Sequence, residues 1–311
     1  MRTSRRASRR GRRPLNSVVR SAALIVAFAS PLAAQSSQLP IAIGQTRFAT
    51  GQSVVPYFEG WIRNPDGSFD LVFGYFNRNW SEELVIPLGP DNRVELESAP
   101  NVTTKTIGID SPTLDRGQPT FFHPRRQGWV YRVRVPSTFG KQVLKWTLRA
   151  NGKSESAYGE LLPVEEITER IVMTRGNLNP GDDDPNRPPT VTIAPVADAS
   201  AGDARPLTAL VTDDGLPKPR APIQRTQAAD ATRIQQQTNS SSTAARRGLS
   251  VGWMQLRGPA KIDFQLKGPI AVADGKATTT ARFPVPGTYV VRATANDGGL
   301  STKSELTIVV R

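Results

Sequence analysis

The 311-residue sequence contains no cysteine and a single histidine, His123. Without thiols there is no disulfide framework, no Cys-ligated zinc or iron–sulfur cluster and no thiol nucleophile. One histidine excludes multi-histidine metal sites and confines any Ser-His-Asp triad to the surroundings of His123. No Gly-x-Ser-x-Gly elbow accompanies it, so His123 is expected to be a structural loop residue. The Asp-x-Asp-x-Asp-Gly spacing of a calcium loop is also missing. The acidic clusters Asp182–Asp184, Asp213–Asp214 and Asp297 read as solvating charge, and no metal site or cofactor is expected. The apolar run at 21–30 is too short for a comfortable membrane span. What is plentiful is turn-forming chemistry: 25 glycines and 26 prolines favour many turns over long helices.

The formal charge of +13 invites a nucleic-acid reading. Residues 1–34, however, hold eight arginines and no acid, followed by the apolar run and by Pro31-Leu32-Ala33-Ala34. This is the order of a secretory signal peptide: basic region, apolar region, small residues at the cut. Without it the excess falls to +5, and segment 216–248, with six basic residues against Asp230, carries the same +5. The remaining body is neutral, which is not the broad cationic face that tracks phosphates. No nucleic acid is expected as a partner, and no transmembrane segment after signal cleavage. A cysteine-free exported chain suits the periplasm or secretion from a bacterium.

Segment 41–161 reads as all-β, because its apolar runs are short and bounded by turn residues. Tyr57–Arg63 and Phe69–Phe76 flank Asn64-Pro65-Asp66-Gly67, a type I turn signature. Glu83–Leu88 and Arg93–Leu96 follow, and then a polar loop at roughly 97–120. Trp129, Tyr131, Val133 and Val135 alternate with polar residues, as do Leu144, Trp146 and Leu148. Asn151-Gly152 closes the last pair through a type I′ turn. Val164–Val172 reads as a short helix or an edge strand. Residues 179–189 hold prolines and acids and read as an extended linker.

From 190 a second β-rich segment begins. Thr190–Ile193, Leu207–Thr212, Leu249–Leu256, Lys261–Phe264, Ala277–Phe283, Thr288–Thr294 and Ser304–Val310 are its strands. The insertion 216–248, without an aromatic residue, cannot bury enough apolar area to offset its ordering entropy and is expected to be disordered. Trp253 with Arg257-Gly258-Pro259, the run Ala281–Gly298 containing Pro286-Gly287-Thr288-Tyr289, and the terminal Leu306–Val310 resemble the immunoglobulin-like PKD family. That resemblance implies a core tryptophan, a tyrosine corner at Tyr289 and an extracellular spacer or interaction module rather than an activity.

The expected organisation is a signal peptide (1–34), an N-terminal β-sandwich (35–161), an acidic Pro-rich linker (162–189) and an immunoglobulin-like sandwich (190–311). The fold class is all-β. The expected role is an exported, non-enzymatic envelope protein, a structural spacer or interaction module with a protein or polysaccharide partner. The alternative is carbohydrate binding through Tyr57, Glu59 and Trp61. Strict alternation puts those three on one strand face, where rings stack on sugar C–H groups and the carboxylate accepts hydroxyls; a sandwich core would use the same rings. Arg125 and Arg126 could clamp an anion together only if the backbone there departs from a regular strand.

Overall fold

The computed structural model describes residues 47–97, 115–168, 186–196, 199–218 and 248–311. The expected signal peptide, most of the loop at 97–120, residues 169–185 of the expected linker (162–189) and residues 219–247 of the expected insertion (216–248) lie outside them. The described residues form strands and one short 3-10 turn, so the all-β expectation holds.

The first sandwich pairs β1 (Val54–Arg63), β2 (Phe69–Asn77) and β6 (Arg125–Val135) in the antiparallel order β1-β2-β6. Facing it are β4 (Asn92–Glu97), β7 (Val143–Ala150) and β8 (Lys153–Gly159), in the order β4-β7-β8. The period-two pattern sends Leu71, Phe73, Val133 and Val135 from one sheet against Leu144, Trp146 and Leu148 from the other. Trp146 is fully buried, and its indole N–H donates to Asn92 Oδ1 at 3.1 Å. Asn64 closes the first hairpin by accepting the Gly67 N–H at 3.0 Å. Asn151 and Gly152 take φ of 48° and 75°, the positive values that a type I′ turn requires.

Three expectations change in detail. Of Glu83–Leu88 only β3 (Leu84–Val85) pairs, with β5 (Phe121–Phe122), since Pro87 has no N–H to continue a ladder. Residues 163–165 form a 3-10 turn, after which Ile167 donates to the Trp61 carbonyl at 2.7 Å. In β6 the alternation breaks before Tyr131. Phe73 pairs with Tyr131 but Tyr75 pairs with Gln127, so Gly128, Trp129 and Val130 form a bulge with Trp129 at φ 55°. Val130 therefore enters the core and Trp129 leaves the Tyr131–Val135 face.

The second sandwich packs β9 (Thr190–Ile193), β10 (Ala204–Thr212), β12 (Asp263–Phe264) and β14 (Lys276–Arg282), in the order β12-β14-β10-β9, against a second sheet. That sheet is β13-β11-β15-β16, from β11 (Ser250–Arg257), β13 (Ile270–Ala271), β15 (Gly287–Asn296) and β16 (Ser301–Val310). Ala199, beyond β9, also bridges in parallel to Val310 of β16 on the other sheet. This is the immunoglobulin arrangement, with first, second and fifth strands on one side and third, sixth and seventh on the other. Val291, Phe283, Leu207 and Tyr289 are fully buried in its core. Trp253 is half-buried and touches the apolar clusters at both ends of that core. Tyr289 forms the expected corner: its hydroxyl donates to the Val285 carbonyl at 2.9 Å.

The two sandwiches share one compact unit, Arg47–Arg311. A second bulge makes the joint. Gln255 pairs with Val291 and Arg257 with Val290, leaving Leu256 as the extra residue. Leu256 thereby turns outward and, with Met254 and Val290, packs into the first sandwich's core.

Tyr289→Phe should destabilise the protein by about 1 kcal/mol, one lost buried hydrogen bond. Urea denaturation followed by tryptophan fluorescence measures it, and an unchanged midpoint would remove the corner's structural role.

Candidate functional site

The first candidate is the β1 triplet. Phe58 pairs with Phe73 and Gly60 with Val72, so Glu59 is the extra residue of a bulge. The bulge inverts the alternation. Tyr57 and Trp61 do not share a face, which corrects the expectation from simple spacing. Trp61 is 3 % exposed; its indole N–H donates to the Leu162 carbonyl at 2.8 Å and its ring meets Phe69 edge-on. It is a core residue and offers no stacking surface to solvent. Tyr57 is half-buried on the outer face, beneath the Arg126 guanidinium at 4.4 Å. Glu59 bonds Arg126 at 3.1 Å and accepts the Trp129 N–H at 3.1 Å. Its carboxylate sits in a notch that only glycine leaves open, since a Cβ at Gly74 would lie 2.6 Å from Glu59 Oε1. Burial and the Glu59 charge push the Tyr57 phenol up to about 12. Gly60, at φ 129° and backed against the Glu165 carbonyl, was the only sequence mark of this bulge.

The second candidate is the joint. The β6 bulge presents the Trp129 and Val130 carbonyls to the second sandwich. Arg292, 4 % exposed, donates to both and to Glu305. Lys303 Nζ donates to the Trp129 carbonyl at 2.7 Å. Desolvation of its ammonium, then the Arg292 and Arg132 charges, push Lys303 down to about 7, although its stem is exposed and water screens part of the effect. On the other side of the joint, His123 Nε2 meets the Gln255 carbonyl at 2.8 Å and Nδ1 lies 3.8 Å from Glu83. The nearby His123 ring and the Lys261 ammonium at 2.5 Å hold the Glu83 carboxyl down at about 2. Arg257 and Asp115 form a two-pronged pair at 2.7 Å each. His123 thus serves the joint.

The third candidate was hidden by sequence distance. A cavity of about 410 Å³ at one end of the second sandwich is lined by Asp213, after β10, and Asp297, after β15, beside Val211, Leu216, Leu249 and Val272. Asp297 is 2 % exposed; Oδ1 accepts the Gly299 and Leu300 N–H groups while Oδ2 has no partner. Asp213 Oδ1 is likewise buried without a partner. Burial first, and then the Asp297 and Asp214 charges, raise the Asp213 carboxyl. Two unpartnered carboxylate oxygens lining one cavity can face a cation. Among the described residues no third acidic or histidine side chain joins them as a metal-binding group.

No protein-family model matches the chain, and no curated protein matches it. Among solved structures, a chimeric titin Z1Z2 tandem is 12 % identical, covering 82 % of this chain and 99 % of that one, with a TM-score of 0.24. The D0-D1 domain of intimin is 10 % identical over 83 % of this chain and 100 % of that one, with a TM-score of 0.23. A conjugative transposon lipoprotein from Bacteroides eggerthii is 11 % identical over 39 % of this chain and 96 % of that one, with a TM-score of 0.25. The immunoglobulin-like assignment is carried by the strand order of the second sandwich. Among the described residues no helix is long and apolar enough to cross a membrane.

Two pH dependences follow from these groups. Asp213 has a folded pKa above its unfolded one, so its ionisation opposes folding at neutral pH and the folded state gains as pH falls through the folded pKa. Asp213→Asn should raise the urea midpoint at pH 7 and flatten its rise towards pH 4; a lowered midpoint with an unchanged slope would contradict this. Lys303 has a folded pKa below its unfolded one, so the unfolded chain binds the extra proton and stability rises between about pH 7 and pH 10. Lys303→Met should remove that rise, and an identical pH profile in the variant would show that Lys303 is solvated.

Proposed function

We propose that this chain is an exported, non-enzymatic module of the cell envelope that holds a fixed distance or presents a surface to a partner. On this reading residues 1–34 are a signal peptide, and a first sandwich (35–161) and a PKD-like second sandwich (190–311) flank an acidic linker. The observation that carries it is the joint. A flexible tether between β-sandwiches would leave the outer sheet faces polar and wet. Here Leu256, Met254 and Val290 of one sandwich complete the core of the other, and Arg292 crosses between them. Apolar continuity of this kind fixes the relative orientation of two units. Rigidity is what a spacer or presenting module requires, and a binding protein built on mobile loops does not need it.

The test has two parts. Spin labels on exposed sites of the two sandwiches should give one narrow distance distribution, which broadens in Arg292→Met as the β6 carbonyls and Glu305 lose their partner. That variant should also lose about 1–3 kcal/mol of stability, the cost of leaving a buried carbonyl without its donor. Fractionation of cells expressing the tagged full chain should place it in the envelope. A broad distribution in the unaltered protein would remove the spacer reading, and cytoplasmic retention would remove the exported one.

A further inference from the structure

The outer face of the β1-β2-β6 sheet carries a row in which guanidinium groups and rings alternate. Arg47 lies 4.4 Å from the centre of the Trp80 ring, and Arg125 lies 4.8 Å from Trp80 and 4.8 Å from Phe76. Arg126 continues the row over Tyr57. Neighbours in a regular strand point to opposite faces, but Arg125 takes φ 67°, in the left-handed region that non-glycine residues rarely adopt. That turn brings Arg125 and Arg126 onto one face. Strain of this kind persists where the surroundings impose it, and it concentrates at ligand clamps.

The turn that presents Trp80 is equally built. Asn77 and Asn79 are both fully buried. Asn79 Nδ2 donates to the Gln52 carbonyl at 3.0 Å and to Asn77 Oδ1 at 2.9 Å. Asn77 Nδ2 donates to the Glu82 carbonyl at 2.8 Å, and the Trp80 N–H donates to the Phe48 carbonyl at 2.9 Å. This network holds in place two rings that water can reach: Trp80 is 47 % and Phe48 52 % exposed. Arg126 has Glu59 as a partner, whereas Arg47 and Arg125, among the described residues, have rings and no carboxylate.

We infer that this row binds an acidic polysaccharide, its uronate groups held by Arg125 and Arg47 and its sugar rings lying along Trp80 and Phe48. A guanidinium stacked on a ring keeps its planar N–H edge for an oxyanion, and two parallel N–H···O bonds match a carboxylate. Prior stacking also means that little rotamer freedom is lost on binding. The cations are few, spaced by rings and interrupted by Glu59. This suits a polymer of sugar rings with spaced charges better than the dense phosphates of nucleic acid or the flat anionic surface of a membrane. The inference is independent of the spacer reading: a rigid module with a bare face would satisfy that reading and fail this one.

The experiment is affinity measurement of the full chain against polygalacturonate, with neutral dextran, a DNA oligonucleotide and phosphatidylglycerol vesicles as the other arms. Saturable, salt-sensitive binding to polygalacturonate and none to dextran is expected. Arg125→Gly suits the left-handed backbone and so should fold at least as stably, yet it should bind at least tenfold more weakly, as should Trp80→Ala. Arg125→Lys, which keeps the charge and loses the planar fork, should fall between. Absence of binding to polygalacturonate, binding unchanged in Arg125→Gly, or preference for DNA or vesicles would overturn the proposal.

Discussion

The buried guanidinium of Arg292 is the constraint around which the two sandwiches are arranged. It sits on β15 in the middle of a sheet face that an isolated immunoglobulin-like domain would offer to water. Its donors instead reach the Trp129 and Val130 carbonyls of another domain. A buried cation is tolerated only when its hydrogen bonds are satisfied and a counter-charge is near. Glu305, half-exposed on the neighbouring strand β16, supplies that charge at 2.5 Å. Each of these partners fixes something else. The carbonyls need the β6 bulge, the bulge needs Trp129 in a left-handed conformation, and Trp129 in turn needs the Glu59 carboxylate on its N–H.

Three bulges therefore do the architectural work. At Glu59 the extra residue moves Tyr57 and Trp61 to opposite faces. At Gly128–Val130 it aims backbone carbonyls at the second sandwich, and at Leu256 it sends an apolar side chain out of one core into the other. Without them each sandwich would still close on its own period-two pattern. The joint would then be a meeting of two polar faces, which associate weakly in water. The polar pairs that frame the apolar contact, Arg257 with Asp115 and Lys261 with Glu83, add register to it.

Much of the fold was legible in the chain, for identifiable reasons. Asn64–Gly67 and Asn151-Gly152 are local signals, because turn geometry is decided by the residues in the turn. Tyr289 followed from a short motif whose hydroxyl bonds only four residues upstream. Although β13 (Ile270–Ala271) was not readable, and of Lys261–Phe264 only Asp263–Phe264 pairs, most strands of the second half were readable as short apolar runs between turns. The bulges were not, because a bulge is a count of residues against a partner strand and the partner is set by the fold. The shared face of Tyr57, Glu59 and Trp61 failed for that reason. The cavity lined by Asp213 and Asp297 was missed for a related one: each aspartate ends its own strand, and only the sheet order brings those ends together. The role of His123 was visible as structural, but its partner Gln255 lies on another sandwich.

Closing the joint also decides which surfaces are left over. In the second sandwich, Met254, Leu256, Val290 and Arg292 of the β13-β11-β15-β16 sheet face the first sandwich. The opposite sheet, where Leu210 of β10 faces water, and the outer edge of β16, where Val309 is 56 % exposed, stay open to solvent. Surface used to hold the two halves together is surface withdrawn from contact with anything else.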